Sequence, residues 1–363
     1  MIAGMTTAPR LRLAPGRIVL LRDDSSLQLG VDPRHAVVID GLSAGQADVV
    51  TRLDGRHGTD ELLATAAAAG SDHAATLRLL DELAGAGLIG PAAGADHPPQ
   101  PLAPDAATWG LRTGRAAGEL LARRAAATVE VYGNGRIAVA VATLLAAAGV
   151  GAVLVSATGR VSGQDLGTGY LPRDVGRSRA ASAAQAVHRA RTVETAEMPP
   201  DLPDVVVLAD TAVWDPHLAL RLTAERLPHL AVHAREASVV VGPLVLPGRT
   251  SCLRCADLHR TDADPCWPRL AAQLATRPAA AELACAQVAA GMAAEQVLAL
   301  LTGRGEGPDE PPATETTFEL DPLHGTVVRR RWPAHPRCGC GADGWPVNPI
   351  AAGGPPDTGQ SEP

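Results

Sequence analysis

Four cysteines in two short pairs, Cys252 and Cys255 as C-x-x-C and Cys338 and Cys340 as C-x-C, constrain this chain more than any other feature. Two thiol pairs far apart in sequence that meet in space make a tetrahedral sulfur site, which zinc fills without any redox demand. Such a structural zinc would tie the C-terminal segment back onto the body of the protein. Ion binding then counts as folding free energy, about 10 kcal/mol in small zinc peptides. A redox dithiol, or two unrelated thiol pairs, are the alternatives, because C-x-C is a less specific partner than a second C-x-x-C.

A chain of 363 residues has room for two domains and a well-buried core. Its basic residues are all arginine, so no lysine ammonium takes part in any chemistry here. Six cysteines at this length do not describe a secreted disulfide scaffold. The opening MIAGMTTAPRLRLAPG lacks a charged region followed by an apolar stretch, so a signal peptide is not expected and the cytoplasm is the default. A formal charge of -7 argues against a general nucleic-acid binder. Residues 137–155 are almost wholly apolar and about as long as a membrane span. Gly149 and Gly151 interrupt them between β-branched runs, which favours a buried strand–helix–strand unit over a membrane segment.

Residues 10–90 read as a small domain. Short β-type runs at 18–21, 27–29 and 36–39 precede three helices. Ser43 with Gln46 three residues on is a capping-box signature for the first helix. The second opens at Thr59, with Asp60 and Glu61 where the helix dipole favours acids. The third covers 71–84, with Leu77, Leu80 and Leu83 on one face, and Gly85-Ala86-Gly87 ends it. Strands with three helices suggest a winged-helix fold. DNA is not its expected partner, because the third helix carries Asp72, Asp81 and Glu82 against Arg78 alone. An extended peptide added as a strand is the better match. Ala36, Val37, Val38 and Ile39 would form the receiving edge, and Thr76, Leu79, Leu80 and Leu83 would line the groove.

Five prolines within residues 91–107 mark a linker, and the Pro- and Gly-rich residues 342–363 read as a disordered tail. The central domain, 108–341, starts with a helix over 108–124. A strand over 128–132 then runs into Gly133-Asn134-Gly135-Arg136-Ile137-Ala138, a G-x-G-x-x-A between strand and helix. Glycines let backbone approach a phosphate, and the helix N-terminus stabilises its charge. A glycine turn kept only for packing is the competing reading. The next strand, 152–155, ends in Ser156 and Ala157 where a ribose-binding acid is expected. Further strands at 205–208 and 238–241 extend a Rossmann-like α/β sheet. Asp210 stands at a sheet-strand end, as a functional acid or as a cap on the next helix. His229, His233 and His259 have no nucleophile signature beside them. Cys285 lies on an apolar helix and reads as core, Cys266 has no local histidine, and Arg329-Arg330-Arg331 follows a strand as a solvated edge or partner contact.

Over residues 108–341 the order is the glycine loop, LAAAGVGAVLV, a sheet-end Asp, PLVLPGRTSCLRC and a late cysteine pair. This order resembles the ThiF/MoeB superfamily, adenylyltransferases related to ubiquitin-activating enzymes. The resemblance implies ATP on the glycine loop, adenylation of a carrier C-terminus and a paired-cysteine zinc. GRTSCLRCADLHRTDADPCWPRLAAQL followed by HPRCGC is similar to the ThiF-like proteins of ribosomal peptide (RiPP) pathways, including bacteriocin and thiazole/oxazole (TOMM) routes. In those, a partner of a YcaO cyclodehydratase binds the precursor's leader peptide through an N-terminal winged helix.

The departures bear on activity. The resemblance puts an acid at Ser156 or Ala157, a phosphate-contacting arginine at Thr168 and a lysine at Arg179, while Asp210 matches its magnesium-associated aspartate. A planar guanidinium does not replace an ammonium at a tight phosphate site. Gly133, Asn134, Gly135, Arg179 and Asp210 therefore describe a degenerate nucleotide site. The expected protein is a leader-peptide-binding scaffold for a YcaO-type cyclodehydratase, without catalysis of its own, membrane or nucleic acid, and with a homodimer left open. The competing expectation is an active ThiF-type adenylyltransferase that uses ATP and magnesium.

Overall fold

The computed structural model describes residues 10–92, 98–114, 117–193, 202–275, 277, 279–303 and 310–342. The chain divides into two units. One comprises residues 1–127 with 146–152 and 191–197, and the other comprises the remainder.

In the first unit the strands are β1 (Arg10–Leu13), β2 (Val19–Asp23), β3 (Ser26–Leu29) and β4 (Val37–Ile39). Then come α1 (Ala44–Thr51), β5 (Asp54–Gly58), α2 (Thr59–Ala68), α3 (His73–Gly85) and β6 (Ile89–Pro91). The capping box at α1 forms as its sequence requires. The Gln46 N–H donates to Ser43 Oγ at 3.3 Å, and the Ser43 N–H donates to Gln46 Oε1 at 3.0 Å. The order α1–β5–α2–α3–β6 is the frame of a winged helix, and β1 from the front of the chain completes the antiparallel sheet β5–β1–β6. A second antiparallel sheet runs β2–β3–β4.

Leu27, Leu29, Val49, Val50, Leu62, Leu80 and Leu83 form the core of this small domain. The inward face of α3 is Thr76, Leu79, Leu80 and Leu83, so Leu80 and Leu83 lie on the expected face whereas Leu77 is exposed. Of the stretch 91–107, residues 93–97 lie outside the described residues, and α4 (Ala103–Thr113) already begins at Ala103. The single helix expected over 108–124 is two, α4 and α5 (Ala117–Ala126), because Gly114 takes a left-handed φ of 66° that ends α4. Residues 343–363 lie outside the described residues.

Among the described residues the central sheet has seven strands: β7 (Thr128–Tyr132), β8 (Ala152–Ser156), β9 (Val205–Ala209), β10 (His229–Arg235), β11 (Ser238–Val245), β12 (Thr316–Asp321) and β13 (Thr326–Arg331). Their spatial order is β13–β12–β11–β10–β9–β7–β8. Strand β9 pairs in parallel with both β7 and β10, while β11, β12 and β13 continue as antiparallel neighbours. The helices are α6 (Arg136–Ala147), α7 (Arg179–Ala190), α8 (Pro216–Ala224), α9 (Leu253–Ala263), α10 (Trp267–Leu274) and α11 (Leu283–Thr302). The apolar stretch 137–155 is α6 followed by β8, not a membrane span. Helix α11 has the length and apolarity to cross a bilayer, yet 44% of its apolar window is buried, and it packs against β10 and β11.

The chain leaves β7 for β8 on one side and then returns for β9 on the other. Strand order therefore reverses at the ends of β7 and β9, where open α/β sheets place their sites. The arginines at 329–331 belong to edge strand β13 itself. Arg329 lies over the Phe318 ring, and Arg330 and Arg331 pair with Glu319 and Glu315.

Candidate functional site

Cys252 caps the start of α9, and Cys255 lies in its first turn, so helical spacing directs both thiols to one side. The chain returns after β13 through buried Trp332. Its carbonyl accepts the Ser251 hydroxyl, and its indole N–H donates to Thr317 Oγ1 at 3.0 Å. That return delivers Cys338 and Cys340. Cys252 Sγ is 3.9 Å from Cys255 Sγ and 3.6 Å from Cys338 Sγ, and Cys255 Sγ is 3.6 Å from Cys340 Sγ. A tetrahedral ion about 2.3 Å from each sulfur sets edges of about 3.8 Å, so the four cysteines fit a metal ion.

The thiols do not share ionisation easily without a cation. The Cys252 hydrogen bond pulls Cys255 down to about 4, while burial pushes Cys338 up to about 11. Around the sulfurs, the His335 N–H donates to Cys255 Sγ at 3.4 Å. The His335 ring is fixed between Asp262, which its Nε2 meets at 2.9 Å, and the Arg337 N–H. Ordering a ligand through its outer partners is common at metal sites.

At the sheet switch, Gly133-Asn134-Gly135 turns β7 into α6, and Asp210 follows β9. Asp210 takes a left-handed φ of 68°, uncommon for a non-glycine residue. Its Oδ2 accepts the N–H of Gly135 at 2.8 Å and of Ala138 at 3.2 Å, and its Oδ1 accepts that of Ile137 at 3.1 Å. A Cβ on Gly133 would come within 2.8 Å of Asp210 Oδ2, and one on Gly135 within 2.9 Å of Oδ1. The glycines thus make room for this carboxylate. Burial raises Asp210 to about 6 against the downward pull of its three N–H donors. The helix it caps is α6, not the following α8, which Asp215 caps.

The other polar groups nearby are satisfied within the protein. Arg179 opens α7 and pairs with Asp165 at 2.8 Å. Thr168 Oγ1 donates to the Arg136 carbonyl at 2.9 Å. The Arg136 guanidinium in turn donates to the carbonyls of Leu166 and Ala281. Asn134 Oδ1 accepts the Thr158 N–H at 2.6 Å, and the Ser156 hydroxyl donates to Glu130.

In the small domain, β4 is the edge of its sheet, paired to β3 alone among the described residues. Ala36, Val37 and Ile39 are half-buried and Val38 is exposed. Thr76, Leu79, Leu80 and Leu83, expected to line a groove, are instead buried, and the three leucines belong to the domain's own core. The amphipathic period selects the apolar face of α3 but does not say whether that face meets a partner or the core.

His229 and His233 are buried on β10, and His259 donates to the Pro333 carbonyl at 3.0 Å. Cys266 is exposed, and Cys285 is half-buried in the first turn of α11 rather than in a core.

The sequence profile of the ThiF family matches residues 115–342, more than half of the chain. The chain belongs to the ThiF family. No curated protein matches it. Among solved structures, E. coli MccB with AMPCPP and MccA superposes with a TM-score of 0.68 at 13% identity, over 92% of this chain and 99% of that one. The microcin C7 biosynthetic enzyme MccB in complex with N-formylated MccA gives a TM-score of 0.64 at 14% identity, over 91% and 99%. PaaA gives 0.66 at 17% identity, over 87% and 98%. At these identities the likeness is one of fold. The matches extend over 92%, 91% and 87% of this chain, beyond the residues that the ThiF profile covers.

Within this ThiF-family chain, sequence reasoning missed Asp262, Ser251 and Trp332 around the cysteines, and Asp165 beside Arg179. The first three act through ring and backbone contacts with no motif of their own. Asp165 had one available signal, its place in a short acid-containing turn upstream of Arg179.

Proposed function

We propose that this protein is a leader-peptide-binding scaffold in RiPP biosynthesis that presents a ribosomal precursor to a YcaO-type cyclodehydratase for azoline and azole formation in the cytoplasm. The observation that carries this reading is the outer edge of β4, unpaired among the described residues, in a winged-helix domain that precedes a ThiF domain. A leader laid along Ala36, Val37, Val38 and Ile39 gains main-chain hydrogen bonds as a further strand. Val37 and Ile39 pack against the core that holds Leu79, Leu80 and Leu83, so those leucines, with Thr76, support the strand from behind. The solved MccB complexes contain MccA, which supports a peptide as the class of partner.

The ion at Cys252, Cys255, Cys338 and Cys340 is zinc in this reading, closed by four protein ligands and so structural. Gly133, Asn134, Gly135, Arg179 and Asp210 are the remains of a nucleotide site. Tethering the leader raises the effective concentration of the core peptide at the partner enzyme. Fluorescence anisotropy of a labelled leader from a neighbouring precursor gene tests the recognition step on the full chain. Saturable binding is expected, and its absence overturns the reading.

A second reading keeps a working ThiF-type adenylyltransferase with ATP and magnesium. The MccB complex with AMPCPP and the position of Asp210 at the sheet switch favour it. ATP–pyrophosphate exchange by the purified chain separates the two, since sustained exchange supports only the second.

A further inference from the structure

We infer that the anion of the glycine loop is the chain's own Asp210 carboxylate, held where a nucleotide phosphate would otherwise meet the loop. Its two carboxylate oxygens accept the N–H groups of Gly135, Ile137 and Ala138. Those N–H groups are the unpaired donors of a helix start, the groups that bind phosphate where such loops bind it. The close approach is built into the backbone. Asp210 is held in its left-handed conformation by its own N–H on the Val232 carbonyl at 3.1 Å and by the Ala279 N–H on its carbonyl at 3.3 Å. Gly133 and Gly135 lack the Cβ atoms that would collide with it.

Two guanidiniums beside the loop, among the described residues, are committed within the protein. Arg179 is paired with Asp165, and Arg136 is turned to two backbone carbonyls. A phosphate would have to displace a buried carboxylate or lie against it with like charge. A magnesium ion would have to share both Asp210 oxygens with backbone N–H groups that already point at them. The residues present therefore do not fit the magnesium–ATP that the fold family implies. The loop serves as an internal joint that ties the end of β9 to the start of α6.

This inference rests on the scaffold reading and extends it. Isothermal titration of the full-length protein with magnesium–ATP and with inorganic pyrophosphate tests it, on wild type and on Asp210→Gly. Glycine adopts the left-handed backbone freely and removes the carboxylate. Wild type is expected to show no binding up to millimolar ligand, and Asp210→Gly to gain saturable pyrophosphate binding. If the glycine variant does not fold, Asp210→Asn, which keeps the shape and loses the charge, is measured with the same gain expected. A wild type that binds either ligand, or a folded variant that gains nothing, overturns the inference. Wild-type binding without pyrophosphate exchange overturns this inference alone, whereas exchange overturns the scaffold reading as well.

Discussion

Cys255 Sγ and Cys340 Sγ lie 3.6 Å apart although 85 residues separate them in the chain. With Cys252 and Cys338 they close a loop that holds α9, α10, α11, β12 and β13. Four thiolates so close repel one another, and a divalent ion turns that repulsion into a clamp.

Removing the ion is therefore expected to unfold the segment around 332–342 first. Chelation, or Cys340→Ser, should lower stability by about 5 kcal/mol or more, given the size of structural zinc contributions. Thermal melts with elemental analysis check this, with one metal ion per chain expected in untreated protein. Leader binding by the first domain should survive.

Val38 is 44% exposed on the free-edge strand, so a charge there should cost the fold little, within about 0.5 kcal/mol. It should still oppose a peptide pairing along that edge, because charged side chains are how edges avoid new strands. Val38→Lys is expected to weaken leader affinity by about tenfold with an unchanged melting temperature, since a lost edge contact of about 1.4 kcal/mol has that effect. Anisotropy together with calorimetry separates the two effects.

Leu80 is 4% exposed in the core behind that strand. Leu80→Ala should destabilise the small domain by about 2–5 kcal/mol through a cavity. Denaturant unfolding of the full chain, followed by hydrogen exchange at residues 44–85, locates the loss. If binding falls only in proportion to the unfolded fraction, the leucine supports the strand and does not touch the leader.

His233 is buried, and among the described residues its Nδ1 has no hydrogen-bond partner. Burial, then the charges of Arg235 and Arg260, lowers its pKa to about 3. Burial also lowers His229, whose Nδ1 meets the Leu227 carbonyl. A folded histidine that resists protonation binds fewer protons than the unfolded one between about pH 3 and 6.5. Its stability contribution is complete above 6.5 and is lost as pH falls. Between pH 7.5 and 5, wild type should lose about 2 kcal/mol more than His233→Leu. Urea titrations of both proteins at the two pH values measure the difference.

Much of the central frame was readable because its signals are local. β7, the glycine turn and α6 follow from an apolar run, two glycines and a helical period. Ser43 and Gln46 announce α1 by direct hydrogen bonds three residues apart. Strand β5, by contrast, is Asp54–Gly58, a run with no apolar pattern, and it exists because β1 supplies its partners. Strand β10 was not foreseen, although its histidines, which lack any nucleophile signature, are buried on it as it pairs with β9 and β11.

The sequence by itself determined that two thiol pairs, a glycine loop and a sheet-end aspartate would be present, since these depend on residue type and short spacing. Only the tertiary structure decided that the four sulfurs converge, that Leu79, Leu80 and Leu83 face inward, and that Asp210 reaches 75 residues back to Gly135. The physical reason is separation along the chain. Propensity and period act within a few residues, whereas the meeting of Cys252 with Cys338, or of Asp210 with the start of α6, follows from how the sheet orders its strands.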